Sequence, residues 1–485
     1  MFSRSSSSLI CRSASAAFAG MVLLAGCASP QAFQIKRIEP GLASTCSVPI
    51  PERDVLVGVA LSGGGSRAAL FGAAGLEALG RLRTADGRSV LERTDYLSSV
   101  SGGSLAATYY ALQKPPRDMR VLTPGGELTP PWTAFFEQYK GMMSQNIGGP
   151  VALRQFSSFR WLNSSLGAIS LAEILRERVL GDATMRDVNR REALGDAPGL
   201  IVNTTLYNNG RRLAVTGLPS DAFRYDFIGS LQREQKEEGK RAEIPPILAR
   251  RWEQLLPMTP ADLRMDQCHM LVAGAVAASA SFPPVIGPTT FQVEGDDTYW
   301  HVGDGGLYEN QGVEPLVFLF VKQLQQKKSR RAYIIAFDSS FPFSVDERRL
   351  NRRAEPFSLF TFDFNRIPGI MEERATTYQG LFFRSMQIEG VFPDEHTMFG
   401  LSLRHIDAQW REDLSDVPQA CLNEAKPILS PADVRERLAE IPTRFRLFSE
   451  CDRQLLITAA SKLVEQHRQE ILDFIDGRPV PKAQP

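Results

Sequence analysis

"TDYLSSVSGGSLAATYYALQ" (Thr94–Gln113) decides the fold. An apolar run of strand length stops at a serine–glycine turn, and a run of helix formers follows at once. Strand and helix converge on Ser101-Gly102-Gly103, so the residues flanking the turn must be small. The same pattern occurs upstream. "DVLVGVALS" (Asp54–Ser62) reads as a buried strand, "GGGSR" (Gly63–Arg67) breaks it, and "AALFGAAGLEALGRLR" (Ala68–Arg83) follows with high helix propensity. Two strand–glycine–helix units in succession imply α/β architecture with a mostly parallel sheet.

Further elements fit that frame. "GLIVNTTLY" (Gly199–Tyr207) is a strand, Asn208-Asn209-Gly210 a hairpin turn, and "RRLAVTG" the return strand. "CHMLVAGAVAASASFPPVIGP" reads as a helix of small residues halted at Pro283 and Pro284. "TYWHV" is a short strand before Asp304, "VEPLVFLFVKQL" a helix and "RAYIIAFDSS" a buried strand. Residues 114–195 read as an irregular insertion with proline and aromatic clusters. The aromatics near Trp132 and in Phe156–Trp161 suit either a lid or core packing, and packing is favoured. From 341 to 485 the pattern is mostly helical and more charged. The run "QREQKEEGKRAE" (Gln232–Glu243) mixes both signs, as a solvated face does.

The composition, 43% hydrophobic and 23% charged over 485 residues, is that of a globular chain with ample length for a large core. Basic and acidic side chains balance at 55 each, which gives no electrostatic footprint for nucleic acid. Residues 1–26 have a basic start carrying Arg4 and Arg12, then an apolar stretch and small residues. That pattern is a secretory signal. It ends in Leu24-Ala25-Gly26-Cys27, which resembles the bacterial lipobox, in which the cysteine is lipidated. Ala28 is not the aspartate associated with inner-membrane retention, so the resemblance implies a lipid anchor in the outer membrane, on its periplasmic or surface face. Residues 27–52 then read as a tether. Setting aside Cys11 and Cys27, the four cysteines 46, 268, 421 and 451 allow three pairings or free thiols, with Cys421–Cys451 the first pair to expect. No Cys or His spacing suggests a metal site, and nothing calls for a cofactor.

Three short motifs carry chemistry. Gly63-Gly64-Gly65-Ser66-Arg67 lies between a strand and a helix N-terminus, where unobstructed amides and the helix dipole can hold a phosphate or an oxyanion. The phosphate-loop lysine and the dinucleotide-loop third glycine are both missing, the latter position being Ala68. Ser99-Val100-Ser101-Gly102-Gly103 is similar to the G-x-S-x-G nucleophile elbow, with Ser101 at the apex and Ser99 in place of the first glycine. Asp304-Gly305-Gly306 puts a carboxylate at a strand end. His301 offers a conventional triad as the alternative base, but residues 301 and 304 of one strand point to opposite faces.

In this order the three motifs resemble those of the patatin-like phospholipase family, over roughly residues 53–340. "DGGLYENQGVEPL" and "AVAASASFPPVI" (Ala275–Ile286) match the family's corresponding segments. The resemblance implies a three-layer α/β sandwich with a mostly parallel central sheet. It also implies a Ser101–Asp304 dyad and an oxyanion hole at Gly63, Gly64 and Gly65. Arg67 would orient the loop or meet a lipid phosphate. The implied activity is hydrolysis of phospholipid or lysophospholipid esters through an acyl-enzyme, with membrane lipid as substrate. Acyl transfer or thioester cleavage would use the same dyad. A non-catalytic lipid-binding lipoprotein is the reading from a different class.

Overall fold

A computed structural model describes residues 32–38, 46–225, 252–340, 370–381 and 397–478, with short gaps within 158–164, 284–285, 371–372, 379, 425–427 and 444–448. The signal 1–26, Cys27 and the run 232–243 lie outside the described residues. Both strand–glycine–helix units form: β2 (Val55–Leu61) leads into α1 (Gly65–Gly80), and β3 (Tyr96–Val100) into α2 (Gly102–Gln113). β2 and β3 run parallel and β4 (Gly199–Leu206) continues beside β3. β8 (Arg331–Asp338) lies on the other side of β2, also parallel. The hairpin turn at 208–210 returns as β5 (Arg211–Thr216), antiparallel to β4.

The rest of the sheet is mixed. β7 (Tyr299–Asp304) runs antiparallel to β4, and β6 (Thr289–Val293) antiparallel to β7. With β1 (Phe33–Ile35) and β9 (Met398–Arg404) at the ends, the strand order is β1-β6-β7-β4-β3-β2-β8-β9, and β5 lies beside β4. Alternation sorts side chains to two faces. Val59, Leu61, Leu97 and Val202 pack toward α1 and α2. Leu56, Ala60, Tyr96 and Ile201 pack against α8 (Val313–Gln325). The result is the expected three-layer sandwich.

The two end strands were not expected. β1 (Phe33–Ile35) falls in the stretch read as a tether. It pairs in parallel with Phe291–Val293 of β6, its Phe33 ring 6.0 Å from that of Phe291. Just beyond, Cys46 is disulfide-bonded to Cys268. An otherwise open edge of β6 supplies the partners that a free tether would lack. β9 (Met398–Arg404) comes from the C-terminal region and pairs with β8, so that region completes the sheet as well as adding helices.

The insertion 114–195, expected to be irregular, is helical: α3 (Pro130–Met143), α4 (Gly148–Ser157), α5 (Ser165–Leu175) and α6 (Met185–Ala193). Pro130 and Pro131 open α3, where a missing amide hydrogen costs nothing. Trp132, Phe135, Phe136 and Tyr139 of α3 are buried against Tyr109 and Tyr110 of α2, so these aromatics form core. Phe156 is 69% exposed, and Trp161 lies outside the described residues.

After α7 (Val272–Ser279) and α8, the C-terminal helices include α9 (Gln419–Leu422), α10 (Pro431–Glu440), α11 (Glu450–Gln466) and α12 (Arg468–Ile475). A Cys421–Cys451 disulfide joins α9 to α11. α11 packs on α1, which is why every residue of α1 is buried and why its sequence is almost wholly small and apolar. No helix among the described residues is long and apolar enough to cross a membrane.

Candidate active site

The site forms where three strand ends meet. β5 occupies one edge of β4 over residues 201–206. The opposite edge is therefore shared. β3 takes residues 199–203, ending with Val100 opposite Asn203, and β7 takes 204–206, with Asp304 opposite Thr204. β3 runs parallel to β4 and β7 antiparallel, so their C-terminal ends meet head-on at the 203–204 peptide. The next residue after β3 is Ser101, and the last of β7 is Asp304. Pairing register alone brings these two residues together, although they are far apart in sequence.

Ser101 has φ 51° and ψ −118°, in a region that non-glycine residues rarely enter. That conformation turns its hydroxyl out of the strand, as a nucleophile elbow requires. A Cβ on Gly102 would overlap the carbonyl oxygen of Gly65, and one on Gly103 those of Leu61 and Ser62. Both positions must therefore be glycine for the two turns to touch. Ser99 is tolerated in place of the elbow's first glycine because its hydroxyl has a buried partner, donating to Ile201 O at 3.1 Å.

The Ser101 side chain lies close enough to the Asp304 carboxylate to act on its titration. Asp304 Oδ1 accepts the Gly306 amide at 2.8 Å. Burial pushes the Asp304 pKa up to about 7, and the Gly306 amide and the nearby Ser101 hydroxyl only partly oppose the shift. His301 is engaged elsewhere, its Nδ1 3.0 Å from Thr290 Oγ1 of β6.

The glycine loop caps α1. Gly64, at φ 138°, is the residue before the helix. The Gly63 amide donates to Asn310 O at 2.8 Å, which commits it. The Gly64 and Gly65 amides donate to no other group among the described residues, and they sit at the positive end of α1. Arg67 is fully buried. Its Nε and Nη2 donate to Ser339 O at 3.0 and 2.6 Å, and its Nη1 donates to Ile441 O at 2.7 Å. It thus braces the first turn of α1 against the end of β8 and the C-terminal region, facing inward where no lipid phosphate would reach.

Two supporting groups carry no motif of their own. Asn310 lies in the loop after Asp304, and its Oδ1 fills the space beside Gly63 and Gly306. That loop is shaped by buried Glu309, which accepts the Gly312 amide and faces Arg212 at 3.4 Å, with Arg212 Nη2 also 2.7 Å from Glu314. Ser279, at the end of α7, accepts the Ser101 amide at 2.9 Å. The sequence shows Ser279 only as one small residue among many. Nothing in its spacing says which hydroxyl reaches the elbow.

A family model described as patatin-like phospholipase matches residues 59–317, just over half of the chain. No curated protein matches. Among solved structures, human GIVD cytosolic phospholipase A2 is similar at 12% identity and a TM-score of 0.40, covering 88% of this chain and 60% of that one. The same human protein in complex with methyl gamma-linolenyl fluorophosphonate gives 14% identity and a TM-score of 0.39, covering 88% and 59%. The chain thus spans about three fifths of the length of these structures.

Proposed function

The chain belongs to the patatin-like phospholipase family, and from that premise we propose that it hydrolyses fatty-acyl esters of phospholipids or lysophospholipids, with Ser101 as nucleophile and Asp304 as base. The observation that carries the reading is the meeting of Ser101, in its strained turn, with the buried Asp304 at the 203–204 peptide of β4. A serine hydroxyl is a weak nucleophile until a neighbour takes its proton. A carboxylate near its ordinary pKa is a poor base, whereas one raised to about 7 is matched to neutral pH.

In the proposed reaction Ser101 Oγ attacks the ester carbonyl carbon, and its proton passes to Asp304. The carbonyl oxygen becomes an oxyanion held by the Gly64 and Gly65 amides, with the N-terminus of α1 behind them. Such donors contribute roughly 10²–10³-fold each. The C–O bond then breaks, and Asp304 protonates the departing alcohol. Water attacks the acyl-serine while giving a proton to Asp304. Fatty acid leaves, and Ser101 recovers its proton. Gly63 stands outside the oxyanion hole because its amide is already committed to Asn310.

We further propose export and lipidation at Cys27, which would hold the enzyme at the outer membrane beside its substrate. The two disulfides fit an oxidising compartment.

Release of fatty acid from micelles of phospholipid and of lysophospholipid tests the hydrolase reading. The wild type should release it and Ser101→Ala should not, with a loss of at least about 10³-fold. An acyl chain recovered on an alcohol or amine acceptor instead of water would make the protein a transferase. Equal release by Ser101→Ala would remove the nucleophile assignment.

A further inference from the structure

Ser101 and Asp304 come from strands that share the edge of β4 but are not paired with each other. Ladder bonds set where each lies along β4. They do not set the gap between the two ends. That gap is bridged from outside the sheet by the end of α7. The Ser101 amide donates to Ser279 Oγ at 2.9 Å, and the Asp304 amide donates to Ser281 O at 3.0 Å. Three consecutive residues, Ser279-Ala280-Ser281, therefore hold the backbones of both reacting residues.

We propose that the C-terminal end of α7 sets the reach between Ser101 and Asp304, with Ser279 as a positioning residue that acts through the Ser101 backbone. The inference rests on the dyad reading above. Ser279 Oγ donates its one proton to Asn203 O, at 2.6 Å. Ser104 Oγ, 2.9 Å away, must then be the donor to Ser279. A single, fully buried hydroxyl thus joins the elbow amide, the first turn of α2, and the β4 residue at which β3 gives way to β7.

The strain at Ser101 gives this contact its consequence. A non-glycine residue persists at such φ and ψ only where its surroundings over-determine it. Among the described residues, Ser279 supplies the one side chain that bonds the Ser101 backbone nitrogen. Without its oxygen the elbow relaxes and Ser101 Oγ drifts from Asp304. The oxyanion amides are held separately through Asn310, Ser339 and Arg67, so substrate binding does not change. A displacement near 1 Å at a reacting atom costs about 10²-fold in rate.

The test is steady-state kinetics with micellar substrate on Ser279→Ala and Ser279→Cys, beside Ser101→Ala and Ser89→Ala. Cysteine keeps the shape of serine with a somewhat larger atom that is a weak acceptor, so Ser279→Cys keeps the test alive if the alanine variant fails to fold. Ser89 is another fully buried hydroxyl, donating to Gly80 O at 2.8 Å, and it is remote from the dyad in the fold. We expect kcat to fall about 10- to 100-fold in both Ser279 variants with KM within about twofold. Ser89→Ala should lower the unfolding midpoint and leave kcat alone. Ser279 variants with wild-type kcat, or with losses that merely follow lowered stability as in Ser89→Ala, overturn the proposal. Activity persisting in Ser101→Ala would instead sink the dyad reading, which separates the two failures.

Discussion

Asp304 is a carboxylate stripped of water, and two consequences follow at the scale of one residue. Its base form is present only above a pKa of about 7. The proposed reaction therefore predicts that kcat/KM falls about tenfold per pH unit below 7. Asp304→Asn should abolish that acid limb along with most of the activity. The same shift has the opposite sense for stability. A folded-state pKa raised from 3.8 means that protonation favours the folded state. This stabilisation is complete below about pH 4 and is lost as pH rises through 7. Asp304→Asn, always neutral, should thus gain on the wild type between pH 5 and 8 by a few kcal/mol, read as the gap between unfolding midpoints. Gly102 predicts a steric effect. Gly102→Ala sets a methyl group on the Gly65 carbonyl, so the two turns must separate. Measured hydrolysis should drop about 10²-fold or more even where the variant folds.

At the scale of elements, what was legible in the sequence was what is local. Strand, glycine turn and helix follow one another within a few residues at β2–α1 and β3–α2, and the hairpin β4–β5 is announced by its own turn. The two motifs that carry Ser101 and Asp304 were legible for the same reason, since each closes on itself. Long-range pairing was not. β1 finds its partner in β6, and β9 in β8, at long range along the chain, and no local pattern records a partner. Pro130-Pro131 was misread because prolines that break a helix interior equally open a helix. Ser279, Asn310 and Gly63's committed amide escaped because side-chain reach is a property of packing. Close packing also makes a prediction for α1. A Cβ on Gly75 would run into the ring of Phe337, so Gly75→Ala should lower stability by about 1–3 kcal/mol in chemical denaturation.

For the molecule as a whole, the C-terminal region is part of the same body as the candidate site. α11 covers α1, β9 extends the sheet, and Ile441 O receives Arg67 from the glycine loop. The Cys421–Cys451 bridge closes this region on itself. Replacing both cysteines with alanine should cost about 3 kcal/mol in thermal unfolding, and reducing the wild type, which also opens Cys46–Cys268, should cost more. A C-terminal region that could be removed without exposing α1 would contradict this arrangement.

The central claim is that Ser101, paired with Asp304, is the nucleophile. Its most direct test is treatment of the folded protein in lipid micelles with a fluorophosphonate, followed by peptide mass spectrometry to find the adduct. The account predicts one adduct, on Ser101, absent in Ser101→Ala and formed far more slowly in Asp304→Asn. An adduct on another residue, or unchanged labelling in Ser101→Ala, would contradict it.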